Sequence, residues 1–231
     1  MFDFDGTLVD SIPGIVEVMH LFNREYRLPE PVLEEWQHLI GVPIMQQMQI
    51  IFPEKDNAFW QEAAERYRTI YGAKLLEYAP LFPDTLLVLQ SLKKAGVEMT
   101  IVSSKTSNQI KRVLEHAEIS SFFALVLGAD DVLNHKPHPE AVLFTLQELS
   151  IRREDAMVIG DSIYDMDMAR NAEVGAIGVT TGVHSREVLA TAKPKFIVDR
   201  LEAILPILTG SGACTLSGQH ARNKASESPL N

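Results

Sequence analysis

The period of the apolar residues divides this chain in two. From Ile12 to about Tyr78 they recur at helical spacing. Ile15, Val18, Met19, Phe22 and Tyr26 form one stripe, and Leu33, Trp36 and Ile40 a second. Met45, Met48 and Ile51 form a third, and Phe59, Ala63, Tyr67 and Ile70 a fourth. Pro29, Pro31, Pro43 and Pro53 punctuate them, as proline does where helices stop and restart. The pattern predicts a small bundle of about four helices whose Met and aromatic stripes are its core.

Beyond that bundle, short apolar runs alternate with amphipathic stretches. Asp84 is placed to cap a helix carrying Leu86, Leu89 and Leu92, closed by Lys93, Lys94 and Gly96. Strands are predicted at 97–102, 125–127, 156–159, 176–179 and 196–198. Helices are predicted at 107–116, 139–149, 185–191 and 201–208, and one more follows Gly160-Asp161 and runs to Ala172. Strands alternating with helices imply an α/β protein with a Rossmann-like, doubly wound parallel sheet. The expected organisation is a core of residues 1–11 and 79–208, an inserted α-helical segment 12–78, and a tail 209–231. The tail is rich in Gly, Ser and Ala and is expected to be disordered. In such sheets ligands bind at the carboxyl ends of the strands, and the candidate chemical residues fall there.

The opening stretch is Met1-Phe2-Asp3-Phe4-Asp5-Gly6-Thr7-Leu8-Val9-Asp10-Ser11. Residues two apart on a strand point to one side, so Asp3 and Asp5 would share a side as the strand runs out. Gly6 allows a sharp turn and leaves room for a ligand near the backbone. Two close carboxylates repel and call for a positive partner. Magnesium is a natural one, since it takes few protein oxygens and keeps the rest of its shell for water and phosphate. Alone, the pentapeptide Asp3 to Thr7 reads equally as an ordinary strand and turn. Only Met1 and Phe2 precede the first aspartate, so the expectation is a clipped first strand or a start that lies upstream.

Three later stretches end apolar runs with matching chemistry. They are Ile101-Val-Ser103-Ser104-Lys105, Lys136-Pro-His-Pro-Glu140 and Gly160-Asp161-Ser-Ile-Tyr-Asp165. Together with the opening, and in this order, they make the chain resemble the haloacid-dehalogenase-like (HAD) hydrolase superfamily, on its phosphoglycolate phosphatase-like side. The resemblance covers residues 1–208. It implies that segment 12–78 is a mobile cap. It implies Asp3 as the nucleophile, Asp5 as general acid and base, and Lys136 as the cation that pairs with Asp3 and the phosphate. Thr7, Ser103 and Ser104 would bind phosphate oxygens. Mg2+ would be held by Asp3, the Asp5 carbonyl and Asp161, with Asp165, four residues on, in a supporting position. An aspartate at position 5 favours phosphate substrates over carbon–halogen ones, because a halide leaves without a proton. Gly41-Val42-Pro43 reads either as a plain helix–helix turn or as a cap loop dipping toward the substrate. Arg66, Tyr67, Arg68 and Tyr71 are candidate substrate contacts or solvated surface.

Composition narrows the partners. Asp and Glu number 31 against 21 Lys and Arg, a formal charge of −10. That argues against nucleic acid or an anionic membrane as the main partner. The single cysteine, Cys214, rules out an intrachain disulfide and fits a reducing cytoplasm. Cys214 and His220 are too isolated to hold a metal. The opening residues are not a signal peptide. The expected activity is therefore hydrolysis of a small phosphorylated metabolite. A pyrophosphate substrate, a sugar phosphomutase using the same two aspartates, and a non-catalytic phosphate-binding protein are the alternatives.

Overall fold

The computed structural model describes residues 1–210. Most of the expected tail, with Cys214 and His220, lies outside the described residues. The segment 12–78 folds as five helices: α1 (Ile12–Tyr26), α2 (Glu30–Gln37), α3 (Ile44–Ile51), α4 (Asn57–Ala73) and the short α5 (Leu75–Tyr78). Most of the stripe residues are buried, and Tyr26, Met45, Phe59 and Ile70 are partly buried against them. Phe22 on α1 is fully buried and stacks on Tyr26 at 4.0 Å between ring centroids. It meets Trp36 of α2 edge-on at 5.2 Å and Tyr67 of α4 at 6.3 Å, within the range at which aromatic pairs attract. Asp56 caps α4, its carboxylate accepting from the Phe59 N–H at 2.9 Å.

The remainder alternates α6 (Thr85–Lys94), β1 (Thr100–Val102), α7 (Ser107–His116), β2 (Leu125–Leu127), α8 (Glu140–Glu148), β3 (Met157–Gly160), α9 (Ile163–Asn171), β4 (Gly175–Val179), α10 (Arg186–Thr191), β5 (Phe196–Val198) and α11 (Leu205–Leu208). β1 pairs with β2, and β3 with β4 and β4 with β5, all parallel. The opening residues thread between the two sets. The Phe2 N–H donates to Thr100 O and its carbonyl accepts from Val102 N. On the other side Asp3 N donates to Ile159 O, and Met1 O accepts from Ile159 N. The lateral order is thus β2, β1, residues 1–3, β3, β4, β5. The switch in chain direction lies at the opening segment, the place where ligand crevices form in such sheets.

Side chains alternate across this sheet. Phe2, Ile101, Ile159, Ile177 and Val179 join one apolar cluster, with α6, α7 and the helical insert. Val102, Val158 and Ala176 face the other, with Val142, Met166, Ala169 and Leu189 of α8, α9 and α10. Both faces are covered, as parallel sheets require.

Several expectations are corrected. The sheet pairing stops at Asp3, and the Phe4 carbonyl then accepts from Leu8 N and Val9 N. Asp5 therefore sits in a turn beyond the sheet and not on a continuing strand. The strand predicted from 97 begins only at Thr100. The last predicted helix is a 3₁₀ turn, Leu201–Ile204, followed by α11. Asp84 does not cap α6, and its carboxylate accepts instead from Glu202 N at 2.8 Å. Asp130, exposed in the turn after β2, accepts from Ser107 N at 2.7 Å and so serves the first turn of α7. Among the described residues no helix is long and apolar enough to cross a membrane.

Because Phe22 joins four rings in one buried cluster, Phe22→Ala should cost about 3–5 kcal/mol of unfolding free energy. Urea melts at unchanged slope would check it. A loss below about 1 kcal/mol would mean that the insert is not packed around that ring.

Candidate active site

Four chain segments converge past the sheet's carboxyl edge. Residues 3–7 arrive from the opening segment, 103–105 from the end of β1, Lys136 from the loop before α8, and Asp161 and Asp165 from the end of β3 and the first turn of α9. Each side chain is placed by a local cause. Gly6 turns with φ +72°, and a Cβ there would come within 2.6 Å of an Asp161 carboxylate oxygen. Asp165 is fixed by a capping box: Ser162 Oγ donates to Asp165 Oδ2 at 2.5 Å, and Ser162 N donates to the same oxygen at 3.1 Å.

Asp3, Asp161 and Asp165 are buried, and one oxygen from each lies within 4.8 Å of the others. Lys136 Nζ stands among them, 2.6 Å from Asp165 Oδ1 and 2.9 Å from Asp3 Oδ1. The first contact is a hydrogen bond. The second is a buried ion pair. Asp161 accepts from Thr7 Oγ1 and from Val183 N, each at 2.9 Å.

The electrostatics follow from burial. Asp3 is pushed up to about 6 by desolvation, with Lys136 pulling it down and Asp165 and Asp5 adding repulsion. Asp161 is raised well above the carboxylate range by burial, then by the Asp3 and Asp165 charges. Burial opposes the charge on Lys136, but Asp165 and Asp3 more than offset it and hold the ammonium above the usual lysine range. Three buried carboxylates against one lysine leave an excess of negative charge. The donor set is all oxygen, and the cluster repels itself. These features fit a hard divalent cation such as Mg2+.

A cavity of about 110 Å³ opens beside this cluster. Asp3, Asp5, Ser103, Ser104, Lys105 and Asp161 form its sheet side. Ile15, Ile40, Gly41, Val42, Gln47, Tyr67, Arg68 and Tyr71 close it from the helical insert. The loop Gly41-Val42-Pro43 thus reaches the site: Ser104 Oγ donates to Gly41 O at 2.6 Å. Ser103 is buried on the wall, its Oγ accepting from Lys105 N at 3.3 Å. Two expected phosphate groups are committed elsewhere. The Thr7 hydroxyl serves Asp161, and Lys136 lies behind the carboxylates and off the cavity wall. Of the candidate cap contacts, Arg66 pairs with Glu25 on the outer surface and does not reach the cavity.

Lys105 is the residue that sequence reasoning missed. Its Nζ lies 2.9 Å from Asp5 Oδ1 and 4.1 Å from the centre of the Tyr71 ring. Ser11 Oγ donates to the same Asp5 oxygen at 2.6 Å. Burial opposes the lysine's charge, while Asp5 and Tyr71 raise it above its usual range. The signal was present, since Lys105 follows Ser103 and Ser104 directly in the motif. Its partners, however, come from residue 5 and residue 71.

Comparison with known proteins identifies the family. The family model for haloacid dehalogenase-like hydrolases matches residues 1–179, and the chain belongs to that family. It is 34% identical to Probable phosphatase IndB of Dickeya dadantii, over 100% of this chain and 96% of that protein. It is 30% identical to a phosphoglycolate phosphatase of Salmonella typhi, over 90% of each. Among solved structures it resembles a haloacid dehalogenase-like family hydrolase from Streptococcus pneumoniae. The TM-score is 0.75 at 26% identity, covering 89% of this chain and 95% of that one.

The raised Asp3 makes a stability prediction. Its pKa is near 3.9 when unfolded and about 6 when folded. The folded state therefore holds the extra proton between those values, and metal-free stability should fall as pH rises from 4 to 6. Above about pH 6 the penalty from this group is fully present. Asp3→Asn should then stabilise chelator-treated protein at pH 7.5 by about 1–3 kcal/mol, with little gain at pH 4. Thermal melts at both pH values test it, and an equal effect at both would refute the assignment.

Proposed function

We propose that this chain is a magnesium-dependent phosphatase that hydrolyses a small phosphorylated metabolite of the phosphoglycolate type through a phospho-aspartate. The observation that carries the reading is the meeting of Asp3, Asp161 and Asp165, with Lys136 paired to Asp3 and Asp165, beside a small cavity that Asp3 and Asp161 line. Residues 1–11 and 79–208 act as the catalytic core, and 12–78 as the cap. The named activities of the relatives point the same way.

Asp3 attacks phosphorus with a carboxylate oxygen, and the bond from phosphorus to the leaving oxygen breaks. Lys136 holds the Asp3 carboxylate in position and offsets negative charge behind it. Asp5 lines the cavity beside Asp3 and gives its proton to the departing oxygen, so the product leaves as an alcohol. Asp5 then takes a proton from water as that water's oxygen attacks phosphorus, which frees the Asp3 carboxylate and releases phosphate. Ser103 and the backbone at Ser104 bind the phosphate oxygens. Mg2+, held by Asp3, Asp161 and the Asp5 carbonyl, would supply the positive charge that lets an anion approach a phosphate dianion. Asp165 orients Lys136, and Thr7 and Val183 orient Asp161. Lys105, between Asp5 and the Tyr71 ring, ties the acid–base group to the cap. The size of the cavity favours a short leaving group.

A phosphate-release screen of purified protein against a metabolite panel, with and without magnesium, tests the reading. Asp3→Asn should abolish turnover while the protein stays folded, and excess chelator should stop the wild type. Sustained release in either case would remove the nucleophile or the metal from the mechanism. Lys105→Met should lower kcat by roughly 10- to 100-fold, because Asp5 then has only Ser11 to hold it. A rate within twofold of wild type would deny Lys105 any part in placing Asp5.

A further inference from the structure

The loop between α2 and α3 is held by buried hydrogen bonds that the catalytic steps do not use. Trp36 Nε1 donates to Gln47 Oε1 at 2.6 Å, and Gln47 Nε2 donates to Val42 O at 2.6 Å. An indole N–H can only donate, so it fixes which end of the amide faces it. The Gln47 nitrogen is then directed to the loop carbonyl. Trp36 is fully buried and Gln47 is 6% exposed. The loop continues this chain of bonds to the sheet. Gly41, at φ +100°, turns its carbonyl to the Ser104 hydroxyl, and a Cβ there would meet Tyr164 and Ser162 at 3.4–3.5 Å. Gly41, Val42, Gln47 and Ser104 all line the cavity.

An amide beside the Trp36 ring, on a helix whose other buried residues are Met48 and Ile51, is not what stability alone would select. Unpaired, it would cost about 1–3 kcal/mol, whereas an apolar residue of similar size would pack there without that risk. A fully satisfied polar network does something else: it specifies one geometry. Here the geometry it specifies is the position of a cavity wall.

We propose that Gln47 is a positioning residue that sets substrate size. Through Val42 it holds the Gly41-Val42-Pro43 loop against Ser104, and so fixes the width of the space that receives the leaving group. The inference rests on the phosphatase reading for its functional consequence, but the relay itself can be tested separately. Freed from Gln47, the loop would yield to larger esters and grip small ones less well.

The experiment compares wild type with Gln47→Leu, Trp36→Phe and the double variant. Each is assayed with the small ester that wild type hydrolyses fastest and with p-nitrophenyl phosphate. The ratio of kcat/KM for the small ester over the large one should drop roughly 10-fold in each single variant, mainly through KM of the small ester. The double variant should be no worse than either single, because both break one relay. A loss of folded protein would lower both esters alike and leave the ratio unmoved. A ratio within twofold of wild type, or singles whose effects add, overturns the proposal. Hydrogen exchange provides a second readout independent of turnover. Amides of residues 41–48 should exchange at least about tenfold faster in Gln47→Leu, with those of β3 and β4 unchanged. Unaltered exchange in that loop defeats the relay whether or not any ester is hydrolysed. Absence of phosphate release by wild type would sink the phosphatase reading alone.

Discussion

Charge that has nowhere to go is the constraint around which this molecule is built. Three aspartates and one lysine meet where the solvent cannot screen them, a formal −3 against +1. No fold gains stability from such a cluster; burying like charges costs several kcal/mol per ion unless partners offset it. The protein answers with donors on every side that geometry allows. Ser162 holds one carboxylate, Thr7 and Val183 hold another, and Lys136 spans two. The donors at Asp161 are neutral, so one lysine stands against three acids. A small cation would offset that excess, and ordinary packing cannot.

The sheet exists to bring these groups together. Residues 3, 103, 136 and 161 lie far apart in the chain, yet each follows a strand or enters a loop at one edge. The parallel order forces that edge to be shared, since every strand's carboxyl end points the same way. The helical insert closes over it with a wall that mixes Ile15, Ile40 and Val42 with Gln47, Arg68 and the two tyrosines, Tyr67 and Tyr71. Lys105 joins the two, with its charge on Asp5 and its face toward Tyr71.

Much of this was legible in the residues, and the reason is locality. The runs at 125–127 and 196–198 and the helix at 107–116 appear with the bounds that periodicity assigns, because their signals lie within a few residues. Asp3, Lys136 and Asp161 were legible because four motifs in order exclude most accidents. What was not legible depends on distant partners. Nothing near Asp84 announces that Glu202 will claim its carboxylate, nor near Asp130 that it will serve the start of α7. Lys105 stands inside a recognised motif, but its role comes from Asp5 and Tyr71. Thr7 carries a hydroxyl of the right kind for phosphate, and only the folded chain shows that hydroxyl spent on Asp161.

The narrow insertion of residues 1–3 between β1 and β3 also has a bearing on how the molecule assembles. The first residues of the sequence are the middle of the sheet, and their two neighbours lie roughly a hundred and a hundred and sixty positions downstream. During synthesis the segment has no second neighbour until Ile159 has emerged, so both halves of the sheet must wait for a closure that spans most of the polypeptide. Such long-range joining is slow. Asp3 therefore takes its place in the sheet among the last of its residues.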